Sequence, residues 1–386
     1  MITLSTLNQA HQALMGQAHG LPLPLRYAGI VPETEAMVGG LALLDLESCG
    51  VMLLKGAQAG KFLNGLLTND IATLAVGGVG AGFLCGPKGK VLFSLTAARI
   101  KPDEYLAVTD PGALEAVAAH MDFYHVREEV ELGRVGLTRL ELFGPLARSA
   151  LDGLNIPSGG EPGRFQDQPV LAYPLPFGTL PRWMVLAAAP VAGGLAQALL
   201  DGEPRARMAG FEAFEEARIW AGIPRWGAEF PRERFPQELS MEDVISYTKG
   251  CYVGQEVHAR MYHRGHPGHV LLGGAIPPRL ARLLVQASSA PDEKGASSTQ
   301  PLAPQPFAPL PLYSEGKPAG HLTSLGRLPR PAGIPWPQGV AAETGFHAAL
   351  LDLTYGAAQT LPPLAVEPDG AEDILPYSLL PGESRR

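Results

Sequence analysis

Lys249-Gly250-Cys251-Tyr252-Val253-Gly254-Gln255-Glu256 decides how the chain is read, together with the residues that follow it as far as His269. The octapeptide sets a cation two residues from a thiol. Its two glycines permit close backbone approach to a neighbour, and Gln255 and Glu256 offer donors and acceptors. From Lys249 to His269 there are three fixed cations (Lys249, Arg260, Arg264) against one carboxylate (Glu256), in a chain of net charge -8. A local excess of about two positive charges on an acidic chain reads as a site for an anion. Val244 to Tyr247 reads as a strand and the helix as starting near Gly250, which sets Cys251 in the first helical turn. There the helix dipole and Lys249 both favour the thiolate. His258, seven residues on, is too far along to act as its base, so a cysteine hydrolase is not expected.

Lys-Gly-Cys-Tyr-Val-Gly-Gln-Glu closely resembles the signature of the YgfZ-type folate-binding proteins, relatives of the glycine-cleavage T-protein, an aminomethyltransferase. Other stretches are similar to that superfamily. They are Leu54 to Asp70, the Pro87-Lys88-Gly89-Lys90 turn, Arg218 with Gly222 to Glu229, Phe235 to Leu239, and Gly320 to Ser324. The resemblance spans residues 41 to 353 and is strongest from 218 to 265. It implies an α+β fold: a T-protein-like mixed body around a central folate cleft, followed by a small antiparallel β domain. It implies a tetrahydrofolate-type ligand held by Asn69, Asp70, Arg218, Trp226, Gln237, Glu238, Gly250, Tyr252, Gly254, Gln255, Glu256 and Arg260. Arg218 would pair with the glutamate tail, and the Trp226 indole would cover a ring. Cys251, with Lys249, would be the functional thiol, supporting iron–sulfur cluster assembly or repair in client enzymes. Asn69 and Asp70, at a helix end, either line the cleft or cap local backbone.

The T-protein enzymes carry a catalytic aspartate just after the Pro-Lys-Gly-Lys turn. Phe93 and Ser94 stand there in this chain, and no acid follows before Asp103. Aminomethyl transfer needs a carboxylate at the folate nitrogen, so none is expected. Three readings remain: a folate-binding accessory protein, a tetrahydrofolate-dependent aminomethyl- or methyltransferase, or an interaction scaffold without a ligand.

Composition bounds the rest. The 386 residues allow two or three domains. Charged residues at 18%, with 46 glycines and 37 prolines, point to many turns. The negative balance argues against nucleic acid as a partner. Three scattered cysteines, Cys49, Cys85 and Cys251, make no disulfide framework. No run of apolar residues is long enough to span a membrane, and the first twenty residues do not read as a secretory signal. A cytoplasmic monomer is expected, with folate and iron–sulfur enzymes or assembly proteins as partners. Gly86-Pro87-Lys88-Gly89-Lys90 lacks the hydroxyl residue of a phosphate loop and reads as a hairpin turn. His258, His263, His266 and His269 are interrupted by Gly265 and Pro267, so their spacing does not set them on one face. They read as a polar rim, with no metal site.

The expected organisation is an extension over 1–40, the folate-binding body over 41–275, a flexible linker over 276–311, a β domain over 312–353 and a Pro-rich tail over 354–386. Leu41 to Leu46 and Val51 to Leu54 read as two short strands joined by a turn. Val91 to Ile100 reads as the outgoing strand of a hairpin, and helices are expected around Phe62 to Leu67 and Phe211 to Trp220.

Overall fold

The computed structural model describes residues 2–176, 178–230, 233–288, 309–329, 346–368, 370 and 373–379. The chain begins with α1 (Leu4–Ala10), the hairpin β1 (Leu14–Ala18) and β2 (Leu21–Arg26), and α2 (Ile30–Gly39). Next come β3 (Leu41–Asp45), β4 (Val51–Lys55), α3 (Ala59–Leu66), β5 (Val79–Cys85), β6 (Val91–Lys101), β7 (Glu104–Val108), α4 (Leu114–Tyr124), β8 (Glu131–Val135), β9 (Leu137–Phe143) and α5 (Ala147–Gly153). The body continues with β10 (Pro162–Phe165), β11 (Gln168–Pro174), β12 (Arg182–Ala188), α6 (Ala189–Gly202), β13 (Ala206–Ala209), α7 (Phe211–Trp220) and α8 (Gln255–Arg264). The C-terminal part holds β14 (His269–Ile276), α9 (Pro278–Ser288), β15 (Leu310–Ser314), β16 (Lys317–Pro329), β17 (His347–Thr354), α10 (Tyr355–Thr360) and β18 (Leu375–Tyr377).

Three sheets carry the architecture. One is six-stranded, ordered β10-β11-β12-β9-β3-β13. The second is five-stranded, ordered β5-β6-β7-β4-β8, and the third is five-stranded, ordered β15-β16-β17-β14-β18. The α+β class, with a C-terminal antiparallel sheet, is the one expected from the sequence. Leu41, Leu43, Leu140, Leu142, Val185 and Ala187 project from one face of the six-stranded sheet into a core closed by α1, α5 and α6. Leu54, Leu95 and Ala97 of the second sheet pack under α3 and α4. The opposite faces of these two sheets look toward each other, and Val51, Val108, Tyr173 and Met184 meet between them.

The organisation differs from the expectation in four places. Residues 4–39 are part of the body: Leu4 and Leu7 enter the first core, and Leu23, Leu25 and Met37 enter another with Phe211 and Phe214. Strands β3 and β4 are joined by a turn as expected, but they belong to different sheets. Gly50, at φ +68, ends the 3-10 turn Glu47–Cys49 and sends the chain from one sheet to the next. The third sheet begins at β14, ahead of residue 276, and its edge strand β18 comes from the segment expected as a tail. The segment expected as a linker holds α9, and residues 289–308 lie outside the described residues. No helix among the described residues is long and apolar enough to cross a membrane.

Candidate functional site

Local structure around the signature is built by its own side chains. Lys249 donates from Nζ to three backbone carbonyls at the end of α3: Asn64 and Leu67 at 2.6 Å each, and Asn69 at 2.7 Å. These carbonyls lie at a helix C-terminus, where acceptors lack intrahelical donors, so a cation fits there. Burial pulls the Lys249 amine down to about 8. Val253 donates its N–H to the Gly65 carbonyl at 3.2 Å. Tyr252 and His258 then lock the segment to the turn between β5 and β6. The buried His258 Nε2 lies 2.6 Å from the Gly89 carbonyl. A carbonyl only accepts, so Nε2 carries the proton and Nδ1 accepts from the Tyr252 hydroxyl at 3.0 Å. Gly254, at φ +84, lies so close to that turn that an added Cβ would stand 2.5 Å from Gly89 Cα. This contact explains why a glycine sits there and why the Gly-rich turn matches the signature.

The helix in fact starts at Gln255, with Gly254 as its cap, and the segment before Thr248 is a 3-10 turn (Glu242–Val244) rather than a strand. Cys251 therefore lies four residues ahead of the helix. The Lys249 ammonium, expected beside the thiol, is turned onto the α3 carbonyls. Cys251 is exposed, whereas Cys49 and Cys85 are buried. Burial pushes the Cys49 thiol up to about 11 and raises that of Cys85 further.

The residues expected to hold a ligand are dispersed. Arg218 is 2% exposed and its guanidinium is fully engaged. It pairs with Glu215 and Glu229 at 3.1 Å each, and donates to the Ile223 carbonyl at 3.3 Å and Ser324 Oγ at 3.0 Å. It ties α7 to the C-terminal sheet and leaves nothing for a ligand carboxylate. Arg218 and Arg225 together overcome burial and hold the Glu215 carboxyl at about 2. Asn69 caps backbone, donating to the Ala81 carbonyl and accepting from the Asp70 N–H, and Asp70 accepts from the Thr73 N–H. Gln237 donates to Tyr247 Oη. Glu238 takes the backbone N–H groups of Phe235, Gly268 and His269. Gly250 is exposed. Glu256 and Arg260 pair at 2.9 Å on the open face of α8. Trp226 is half-buried, 6.3 Å from Phe93 and 6.4 Å from His19 between ring centroids. The four histidines separate: His258 is buried, His263 meets the Tyr262 ring edge-on at 5.0 Å, His266 stacks on Tyr355 at 3.9 Å, and His269 meets Asp352 at 3.2 Å.

A cavity of about 70 Å³ lies between the two body sheets, and none of the expected ligand residues lines it. Its apolar wall includes Leu44, Phe83, Met184, Phe214 and Phe230, and its polar wall includes Ser94, Thr96, Asp110, Arg139, Glu141, Arg182 and Arg225. Alternation along the strands explains both walls. Leu140 and Leu142 of β9 enter the core on one face while Arg139 and Glu141 project from the other. Arg182 donates to Glu141 at 2.8 Å, and Arg139 to the Thr109 carbonyl at 2.9 Å. Burial raises both the Glu141 and the Asp110 carboxyl groups. Arg225 donates to Glu215 and the Trp226 carbonyl, and its guanidinium meets His19 Nε2 at 2.9 Å. Burial and this neighbouring guanidinium drive His19 down to about 4, which keeps it a neutral acceptor. One sequence signal pointed here: Leu137-Thr138-Arg139-Leu140-Glu141-Leu142-Phe143 sets two charges inside an apolar strand, and buried charge in a strand needs a partner.

The molecule is thus a mixed α+β protein with a polar cavity closed between two sheets and a thiol presented on a fixed loop. Residues 4–158 match the GCVT N-terminal domain family. An aminomethyltransferase of Mycobacterium leprae is 26% identical over 291 residues, covering 67% of this chain and 77% of that protein. The tRNA-modifying protein YgfZ of Sodalis glossinidius is 29% identical over 231 residues, 58% of this chain and 68% of that protein. The glycine cleavage system aminomethyltransferase T of Bartonella henselae shares the fold with a TM-score of 0.74 at 19% identity, over 98% of this chain and 96% of that one. The chain is thus similar to the GCVT N-terminal domain family over its first part, and shares its fold with the aminomethyltransferase along nearly its whole length.

Proposed function

We propose that this protein is a folate-binding accessory protein of the GcvT family whose Cys251 acts on the iron–sulfur centres of client enzymes. The observation that carries this reading is the contrast inside the signature. Lys249, Tyr252, Gly254 and His258 are all committed to holding the loop, and the thiol they surround is left exposed. A rigid loop that offers one soft ligand or nucleophile to the outside suits transient contact with a partner. The family fold and the polar intersheet cavity support tetrahydrofolate as the ligand. Ligand pockets span about 300–1,000 Å³, so entry of a folate requires residues lining the cavity to move apart. Isothermal titration with tetrahydrofolate tests the ligand. Complementation of a strain lacking the protein tests the thiol: the Cys251→Ser chain should fail to restore iron–sulfur enzyme activity, while Cys49→Ser and Cys85→Ser should restore it in proportion to their folded fraction. Full complementation by Cys251→Ser would remove the chemical centre of the reading.

A tetrahydrofolate-dependent transferase is the second reading. It is favoured by Asp110, which restores a carboxyl group beside Ser94, where β6 itself has none. Tetrahydrofolate-dependent release of ammonia from an aminomethylated carrier protein would select it.

A further inference from the structure

Strand β3 ends on a buried acid. Leu41 and Leu43 face the core under α1, and alternation turns Asp45, the last residue of the strand, the same way. Its neighbours Leu44 and Leu46 point to the intersheet cavity on the other side. Asp45 is 4% exposed. Its Oδ2 accepts from Asn8 Nδ2 and its Oδ1 from the Glu47 N–H, each at 2.9 Å. The Tyr27 hydroxyl holds Asn8 in turn, donating to its Oδ1 at 2.7 Å. Each Asp45 oxygen keeps a second lone pair. Burial raises this carboxyl group, and no cation among the described residues counters it. Buried carboxylates are normally paired with a cation.

Asp45 lines a groove of about 560 Å³ between α1, the β1–β2 hairpin and the turn after β3. That size lies within the range of about 300–1,000 Å³ usual for small-ligand pockets. The walls are tied to one another. Ser48 Oγ donates to the Pro22 carbonyl at 2.8 Å, and the Thr138 hydroxyl donates to Glu47 Oε1 at 3.3 Å. Ser5, Asn8 and Gln9 line the groove from one face of α1, at the i, i+3, i+4 spacing. Glu47 adds a second carboxylate at the rim, and no lysine, arginine or histidine lines the groove. Met15, a large apolar side chain 43% exposed, forms an open shelf with Pro22.

We infer that this groove is a binding site for an organic cation, an ammonium or guanidinium group on a short aliphatic chain. The cationic head pairs with Asp45 and Glu47, and the aliphatic chain lies on Met15 and Pro22. Anions are excluded because the groove offers two carboxylates and no cation. A bare metal ion is excluded because no cluster of three metal-ligating side chains occurs among the described residues. A neutral apolar molecule would cover Asp45 without replacing the water it displaces. The groove lies on the opposite side of β3 from the intersheet cavity and involves no residue of the signature, so the inference rests on neither the folate nor the thiol reading.

The test is isothermal titration of the full chain with agmatine, putrescine and N-acetylarginine amide, and with butanol as the neutral control. At least one cationic probe should bind with a Kd of about 1 mM or tighter, and butanol should not. Raising the ionic strength from about 0.01 to about 0.15 M should weaken the binding several-fold. Asp45→Asn should weaken it by about tenfold or more, and Glu47→Gln by roughly threefold. Asp201→Asn, an exposed acid on α6, should bind as wild type does. Tighter binding of agmatine or putrescine supports the inference with a free amine as the ligand. Tighter binding of N-acetylarginine amide supports it with an arginine side chain of a partner protein as the occupant. The inference is overturned if no cationic probe binds saturably, or if butanol binds as tightly as agmatine. It is also overturned if Asp201→Asn loses as much affinity as the groove variants, because the acidic chain would then attract cations without a site. Where melting shows Asp45→Asn unfolded, Glu47→Gln decides: unchanged affinity and an unchanged salt response overturn the inference.

Discussion

The signature loop and the intersheet cavity are both dense in polar side chains, and folding uses those side chains in opposite ways. At the loop, Lys249 is consumed by three carbonyls and His258 by Tyr252 and Gly89. In the cavity wall, Arg139 and Arg182 each keep a buried Nε without a hydrogen-bond partner. Density of reactive residue types therefore marks a place where the chain is pinned as readily as one where a ligand binds. What separates the two is the polar capacity left over after folding.

Arg218 gives the sharpest way to break that comparison. Removing one partner of a buried pair leaves its carboxylates uncompensated, so Arg218→Met should cost about 3–5 kcal/mol in urea unfolding, because Glu215, Glu229 and Ser324 all lean on it. A variant as stable as wild type but unable to bind tetrahydrofolate would return Arg218 to the ligand site. Gly254→Ala comes next. It forces a side chain into the left-handed region and against Gly89, and should cost about 3 kcal/mol. A thermal shift within a degree or two of wild type would show that the loop is not pinned there.

Glu216 sharpens the comparison at the junction of body and C-terminal sheet. It accepts the backbone N–H groups of Arg327 and Leu328, yet burial dominates and raises its carboxyl to about 7. A folded value raised above the ordinary one means that the stabilising contribution is complete below about 4.5. It is lost as pH rises through about 7, on the order of 2–3 kcal/mol. Glu216→Gln cannot ionise, so its melting temperature should fall less than that of wild type between those limits. Parallel melting curves at pH 5 and pH 8 would refute the titration.

The smallest expected effect is at Cys251. Cys251→Ser should change stability by no more than about 0.5 kcal/mol, as an exposed side chain away from packing. In the folded protein Cys251 should be alkylated rapidly, while Cys49 and Cys85 should react only after unfolding. Equal reactivity of all three thiols in the native state would contradict their burial.

Much of the fold was legible because it is written in short-range periodicity. Helices α3 and α7 and strands β6 and β9 follow from apolar spacing and alternation, which depend on neighbours a few residues apart. Strand partnership was not legible. The chain from β3 to β4 reads as two strands joined by a turn, and nothing local shows that Gly50 and the preceding 3-10 turn divide them between two sheets. The segments before residue 40 and after residue 354 read as peripheral because proline and glycine interrupt them, whereas Leu23, Leu25 and Tyr377 are buried.

By itself the sequence determined the α+β architecture with its C-terminal antiparallel sheet, and that Cys251 sits within a motif of unusual chemical density. The motif matters because its residues must fit one another across a gap in the chain: Gly254 and His258 against Gly89. Only the tertiary structure decided which polar groups remain available. Arg218 looked open and is spent on two carboxylates and a serine, while Asp110 and Arg139, ordinary in their local sequence, come together across two sheets. Whether a polar atom has a partner is set by residues that can lie a hundred positions away, as with Arg218 and Ser324, and local pattern carries no record of it.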